Sequence, residues 1–232
     1  MLALGLLLGS LAQPAMTLEA AVVQNAWDGT SRTIPATDET GTFLITTGAE
    51  LAWFADYVNA GHGDINGRLV NNIYLNTSQT SYAWVIIGNS VDHPYRGTFD
   101  GNGKRILNLR VKLSSDQPSQ RYGGLFGVID GGLVQDLQVS GTILNNYADK
   151  DSTTDHELYS ASGSIVGYLK SGSVVNCTNT AKTTVGSFAF YRNAGGIAGI
   201  SQGLIIRCRN EGNLSISVKL GQYRMGGIVG SM

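Results

Sequence analysis

His156-Glu157 opens like the His-Glu-x-x-His signature of zinc proteases, in which two imidazoles four residues apart share one helical face and the glutamate serves as base. Position 160 is Ser160, so the second imidazole is missing and no zinc site is expected. Asp149, Asp151, Asp155 and Glu157 have a 1,3,7,9 carboxylate spacing that could offer oxygens to calcium, an ion that takes about six or more of them. The stretch lacks the glycine and the distal bidentate glutamate of an EF-hand loop, so a solvated acidic loop over Asn145–Glu157 competes with the metal reading. Asp100-Gly101-Asn102-Gly103 is also oxygen-rich, but Lys104 and Arg105 follow directly and repel a cation. Asn-Gly favours a tight turn, so a structural turn is expected at this stretch. His62 and His93 stand alone in polar loops.

Tyr159, Tyr191 and Tyr223 recur at intervals of 32 residues, the last two followed by Arg192 and Arg224. In a stacked repeat this spacing predicts one column, either a strip that stacks on sugar rings or a structural aromatic stack. Cys177 and Cys208 lie 31 residues apart at equivalent points. In neighbouring strands their Cα atoms would sit about 4.8 Å apart, which a disulfide tolerates. Leu109 and Leu137 fill the same position earlier, which favours buried thiols acting as small apolar groups. Acid–base catalysis needs clustered carboxylates or a positioned pair. The repeating positions carry Asn108, Asp136, Asn176 and Arg207, only one of them acidic, and there is no Ser/His/Asp order or phosphate-binding glycine loop. Neither a catalytic residue nor a cofactor is expected.

The composition narrows the setting. Charged residues make up 14% of the 232, against about 25% in soluble domains. Sixteen Lys and Arg offset seventeen Asp and Glu, a balance that argues against a nucleic-acid binder, which needs a basic face. A hydrophobic fraction of 42% is too high for a disordered chain. Leu2–Leu11 is an apolar run too short to span a bilayer. With Ser10-Leu11-Ala12 as a small-x-small site, residues 1–25 read as a secretory signal without its basic start, followed by a linker. The protein is therefore expected to be secreted or at the cell surface and not integral to a membrane.

The elements that must position these residues are repeats. Gly123-Gly124-Leu125-Phe126-Gly127 recurs as Gly163-Ser164-Ile165-Val166-Gly167, Gly195-Gly196-Ile197-Ala198-Gly199 and Gly226-Gly227-Ile228-Val229-Gly230, with closing glycines 40, 32 and 31 residues apart. A second motif recurs as Ile106-Leu107-Asn108-Leu109, Val134-Gln135-Asp136-Leu137, Val174-Val175-Asn176-Cys177 and Ile205-Ile206-Arg207-Cys208. Short β-branched runs broken by Gly, Ser and Asn cannot bury an apolar face alone, whereas parallel stacking of equivalent strands does so. The apolar-x-x-apolar spacing breaks strict alternation, as a strand turning a corner would. Glycine is expected to supply positive φ at corners and close backbone approach between coils. The fold expected is an all-β solenoid over residues 65–232.

Residues 26–64 read as its cap. Thr47-Gly48-Ala49-Glu50 is a capping box, Leu51, Phe54, Ala55 and Val58 share a helical face, and Gly61 marks the stop. A helix over about 48–59 would cover the open end of the core. The last glycine motif ends two residues before Met232, so the chain is read as part of a longer, monomeric one.

Trp27-Asp28-Gly29-Thr30, Glu50-Leu51-Ala52-Trp53-Phe54-Ala55, Gly97-Thr98-Phe99-Asp100-Gly101-Asn102-Gly103-Lys104 and the Gly-Gly-Leu/Ile-x-Gly copies resemble the GLUG-repeat proteins of bacterial surfaces. The resemblance covers residues 27–232 and departs from Gly-Gly at Gly163-Ser164. It implies a right-handed parallel β-helix. The family occurs in adhesin-like proteins and in the non-catalytic N-terminal region of IgA1-type zinc metalloproteases. The function implied is a non-catalytic module for adhesion or presentation, whose partner is a protein or glycan of a host or neighbouring cell. The alternatives are an accessory N-terminal region of a larger secreted enzyme and, more weakly, a polysaccharide-active β-helix enzyme.

Overall fold

Short runs of alternating residues bounded by Gly, Ser and Asn form strands here, and one capped amphipathic stretch forms a helix. The structure is a computed structural model and describes residues 26–114, 121–146, 160–185, 191–216 and 222–232. The signal reading of residues 1–25 and the acidic stretch holding Asp149, Asp151, Asp155 and Glu157 lie outside the described residues.

Along the chain come β1 (Ala36–Thr37), β2 (Phe43–Ile45), helix α1 (Gly48–Asn59), β3 (Gly67–Leu69), β4 (Ile73–Tyr74), β5 (Thr98–Asp100) and β6 (Arg105–Ser114). Next are β7 (Tyr122–Gly123), β8 (Phe126–Gln135), β9 (Gln138–Asn146), β10 (Ser160–Ser162), β11 (Val166–Val175), β12 (Thr178–Asn179) and β13 (Lys182–Val185). The last are β14 (Tyr191–Gly195), β15 (Ala198–Ser201), β16 (Leu204–Ile206), β17 (Arg209–Asn210), β18 (Leu214–Ile216), β19 (Gln222–Gly226) and β20 (Val229–Ser231).

These strands make a mostly-β protein of three sheets. The first runs β1-β2-β3-β5-β8-β11-β15-β20 with β16 also on β11; the second runs β7-β10-β14-β19; the third holds β4, β6, β9, β12, β13, β17 and β18. Every pairing among the described strands is parallel except β1 with β2. Parallel pairing demands a long return between partners; between β2 and β3 it is helix α1, and from β5 onward each return of the first sheet passes through the other two sheets. The glycine motifs line up: Phe126 pairs with Val166, Val166 with Ala198, and Ala198 with Val229. Ile87 adds an isolated parallel bridge to Phe126, an earlier member of this column that the sequence pattern missed because Ile87-Gly88 lacks the double glycine.

The second motif aligns only in part. Val134, Val174 and Ile205 are register partners, but Ile106 pairs with Val139 and Leu109 with Gly141. The first copy therefore turns a different corner, and the register position beside Val134 belongs to Phe99. The left-handed positions are shared between glycine and residues with side chains. Gly88, Gly103, Gly131, Gly141 and Gly172 take positive φ as expected, and Asn108, Asp136, Asn176 and Arg207 also do so, at 58°, 52°, 52° and 51°. Two motif glycines show the other role, close approach. A Cβ on Gly163 would lie 2.4 Å from the Ile197 carbonyl oxygen, and one on Gly199 would lie 2.4 Å from the Ser162 nitrogen.

Helix α1 begins where the capping box places it. The Glu50 N–H donates to Thr47 Oγ1 at 3.3 Å, and the Glu50 carboxylate accepts from the Thr47 N–H at 3.0 Å. Leu51, Phe54, Ala55 and Val58 are buried. Phe54 meets Phe99 edge-on at 5.8 Å and Tyr95 at 6.1 Å, and both of those rings pack on Phe126. The core continues through Val134, Val139, Ile143, Val166, Leu169 and Val174, all fully buried.

Candidate functional site

The corner of left-handed residues builds the polar surface of greatest interest. After β8 and β11 the chain must bend, and Asp136 and Asn176 do so because their short polar side chains tolerate the left-handed region. In the equivalent place after β5, Asn102 and Gly103 take φ of 50° and 68°. The Lys104 N–H donates to the Gly101 carbonyl at 2.7 Å, which makes Asp100–Lys104 a tight turn as read from its Asn-Gly pair. Asp100, Asn102, Asp136, Gln138, Asn176 and Thr178 then line one open cleft. Asn176 Nδ2 donates to Asp136 Oδ1, and Arg68 Nε donates to Asp100 Oδ2 at 3.3 Å. Arg207 continues the row one strand further on.

A second cleft lies at the Asn108 corner, lined by Asn76, Thr77, Thr80, Asn108, Ser140 and Thr142 among others. Asn108 Nδ2 donates to the Asn76 carbonyl at 2.8 Å, and Asn76 Nδ2 donates to the Asn108 carbonyl at 3.1 Å. Both clefts offer amides and hydroxyls, and the first adds the carboxylates of Asp100 and Asp136; such groups bind a hydroxyl-rich ligand through directional hydrogen bonds.

The predicted tyrosine column fares differently. Tyr159 lies outside the described residues. Tyr223 pairs with Arg192, and Tyr191 pairs with Gln222, so the two are out of register by one. The reason is coil length: Ser160 pairs with Arg192, 32 residues on, whereas Tyr191 pairs 31 residues on. An unforeseen aromatic pair forms instead, Tyr122 with Tyr168 at 5.3 Å, and the Tyr168 hydroxyl donates to Gln202 Oε1 at 2.8 Å. Beside them, Lys170 and Ser171 donate to Asp130, holding its carboxyl below the usual carboxylate range. On α1, Trp53 stacks on Tyr57 at 4.8 Å, and exposed His62 stacks on Tyr57 at 4.0 Å. The i,i+4 spacing of Trp53 and Tyr57 is a signal that could have found this strip.

The interior holds polar groups that the apolar motifs did not announce. Asn145 Nδ2 donates to Ser160 Oγ at 3.2 Å and to Ser162 Oγ at 2.8 Å, all within the core. Arg192, the register partner of Ser160, is 2% exposed. Desolvation brings its guanidinium down to about 10, so it remains charged at neutral pH.

Cys177 and Cys208 are both free thiols, Cys177 buried and Cys208 half-buried. They follow paired residues in step, so Leu137, Cys177 and Cys208 form one column, without Leu109. Among the described residues no three His, Cys, Asp or Glu side chains gather as a metal site, and no helix is long and apolar enough to cross a membrane. No model of a known protein family matches the chain, and no curated protein or solved structure matches it either.

Proposed function

We propose that the chain is a right-handed parallel β-helix of the GLUG-repeat kind, with α1 over its N-terminal opening. We further propose that it serves, secreted or at a cell surface, as a non-catalytic module for adhesion or presentation. The observation that carries this reading is the register. Glycine-punctuated segments from four successive returns of the chain are neighbours in one parallel sheet, the arrangement that lets repeats bury a shared core. On that scaffold the corners present Asn108, Asn176 and Thr178 as hydrogen-bonding groups beside the carboxylates of Asp100 and Asp136, suited to the hydroxyls of a glycan of a neighbouring cell.

Beads coated with the protein and offered to cells and to a glycan array test the function. Binding is expected to survive a rise in salt, because screening weakens charge-driven contacts and leaves amide–hydroxyl bonds. Binding is also expected to fall when Asn108 and Asn176 are both replaced by glycine, which keeps the bend. An absence of binding, or release of new reducing ends from a polysaccharide, overturns the reading.

A further inference from the structure

Two thiols meet at the strand pair β11–β16. Val174 pairs with Ile205 and Val175 with Ile206, the chain bends in both strands at Asn176 and Arg207, and Thr178 then pairs with Arg209. Cys177 and Cys208 therefore face each other across one parallel ladder step, about 4.8 Å between Cα atoms, within the reach of a disulfide. Their surroundings differ. Cys177 is fully buried in the apolar core, whereas Cys208 is half-buried.

We propose that Cys177 and Cys208 form a thiol–disulfide exchange pair, in which the accessible Cys208 reacts first with a small-molecule disulfide and the buried Cys177 resolves the adduct into a bond between adjacent strands. In the first step the Cys208 thiolate attacks one sulfur of the small disulfide, forming a mixed disulfide and releasing one thiolate, which takes up a proton. In the second, Cys177 loses its proton to solvent and its sulfur attacks Cys208 Sγ, expelling the second small thiol. The two protein thiols give up two electrons, and the small disulfide becomes two thiols.

The local chemistry fits this order. The Cys177 thiol donates to the Val175 carbonyl at 3.3 Å and the Cys208 thiol to the Ile206 carbonyl at 3.4 Å, and the interaction of the two neighbouring thiols holds Cys208 below the usual thiol value and Cys177 well above it. Cys208 is thus the thiol that becomes a nucleophile near neutral pH. Once Cys208 is capped, its negative charge no longer opposes ionisation of Cys177.

Incubation of the folded protein with oxidised glutathione, followed by acid quench and intact-mass measurement without reductant, tests the proposal. Wild type should lose the mass of two hydrogens. Cys177→Ser should keep one glutathione adduct, and Cys208→Ser should stay unmodified. Native-state alkylation of wild type with iodoacetamide gives an answer even if a variant fails to fold: Cys208 should be labelled well before Cys177 in the peptide map. An unchanged wild-type mass, a persistent adduct on wild type, or equal labelling of the two cysteines overturns the proposal.

Discussion

Arg207 occupies a backbone conformation that Asp136 and Asn176 adopt at lower cost, because short polar side chains hydrogen-bond locally and a long one does not. It is exposed, so its own contacts give little in return. Arg207→Asn should therefore stabilise the protein by about 0.5–1 kcal/mol, a fraction of the usual cost of the left-handed region. Urea unfolding that shows equal or lower stability would refute this. At this scale the sequence was partly legible. The apolar-x-x-apolar break announced a bend at positions 136, 176 and 207, but the same local pattern at Ile106–Leu109 announced another corner. A bend is a property of four residues, and its place in the turn is not. The buried Asn145 and Arg192 were invisible for a similar reason: nothing in their neighbours' types marks an inward position as polar.

Elements were more legible, because their signals are local. The start of α1 follows from Thr47 and Glu50, whose reciprocal hydrogen bonds satisfy amides at the first turn. Removing the hydroxyl leaves the Glu50 N–H without its acceptor, so Thr47→Ala should cost about 1 kcal/mol. A matching fall in thermal midpoint, absent in Thr47→Ser, checks it. The stacking of β8, β11, β15 and β20 was readable because glycine recurs wherever backbone meets backbone, as at Gly163 and Gly199. The tyrosine column was not, since it required knowing that the coil shortens from 32 residues to 31 between β14 and β19.

At the scale of the molecule, pairing is uneven. Strands β8 and β11 are paired on both sides and carry fully buried Phe126, Val134, Val166 and Val174. In the last layer Ile205, Cys208 and Ile228 are only partly covered, and Tyr223 and Met225 are 54% and 41% exposed. Local opening follows buried apolar contact and ladder pairing, so hydrogen exchange should be fastest in β16–β20 and slowest in β8 and β11. A uniform rate across the sheets would contradict this gradient. The bends at Asp136, Asn176 and Arg207 have a last effect. Glycine at those points would leave a blank edge, but here every layer contributes a functional group to a ridge outside the apolar interior. Such a ridge is open to evolutionary drift one layer at a time, most cheaply among the short polar residues that the left-handed backbone favours.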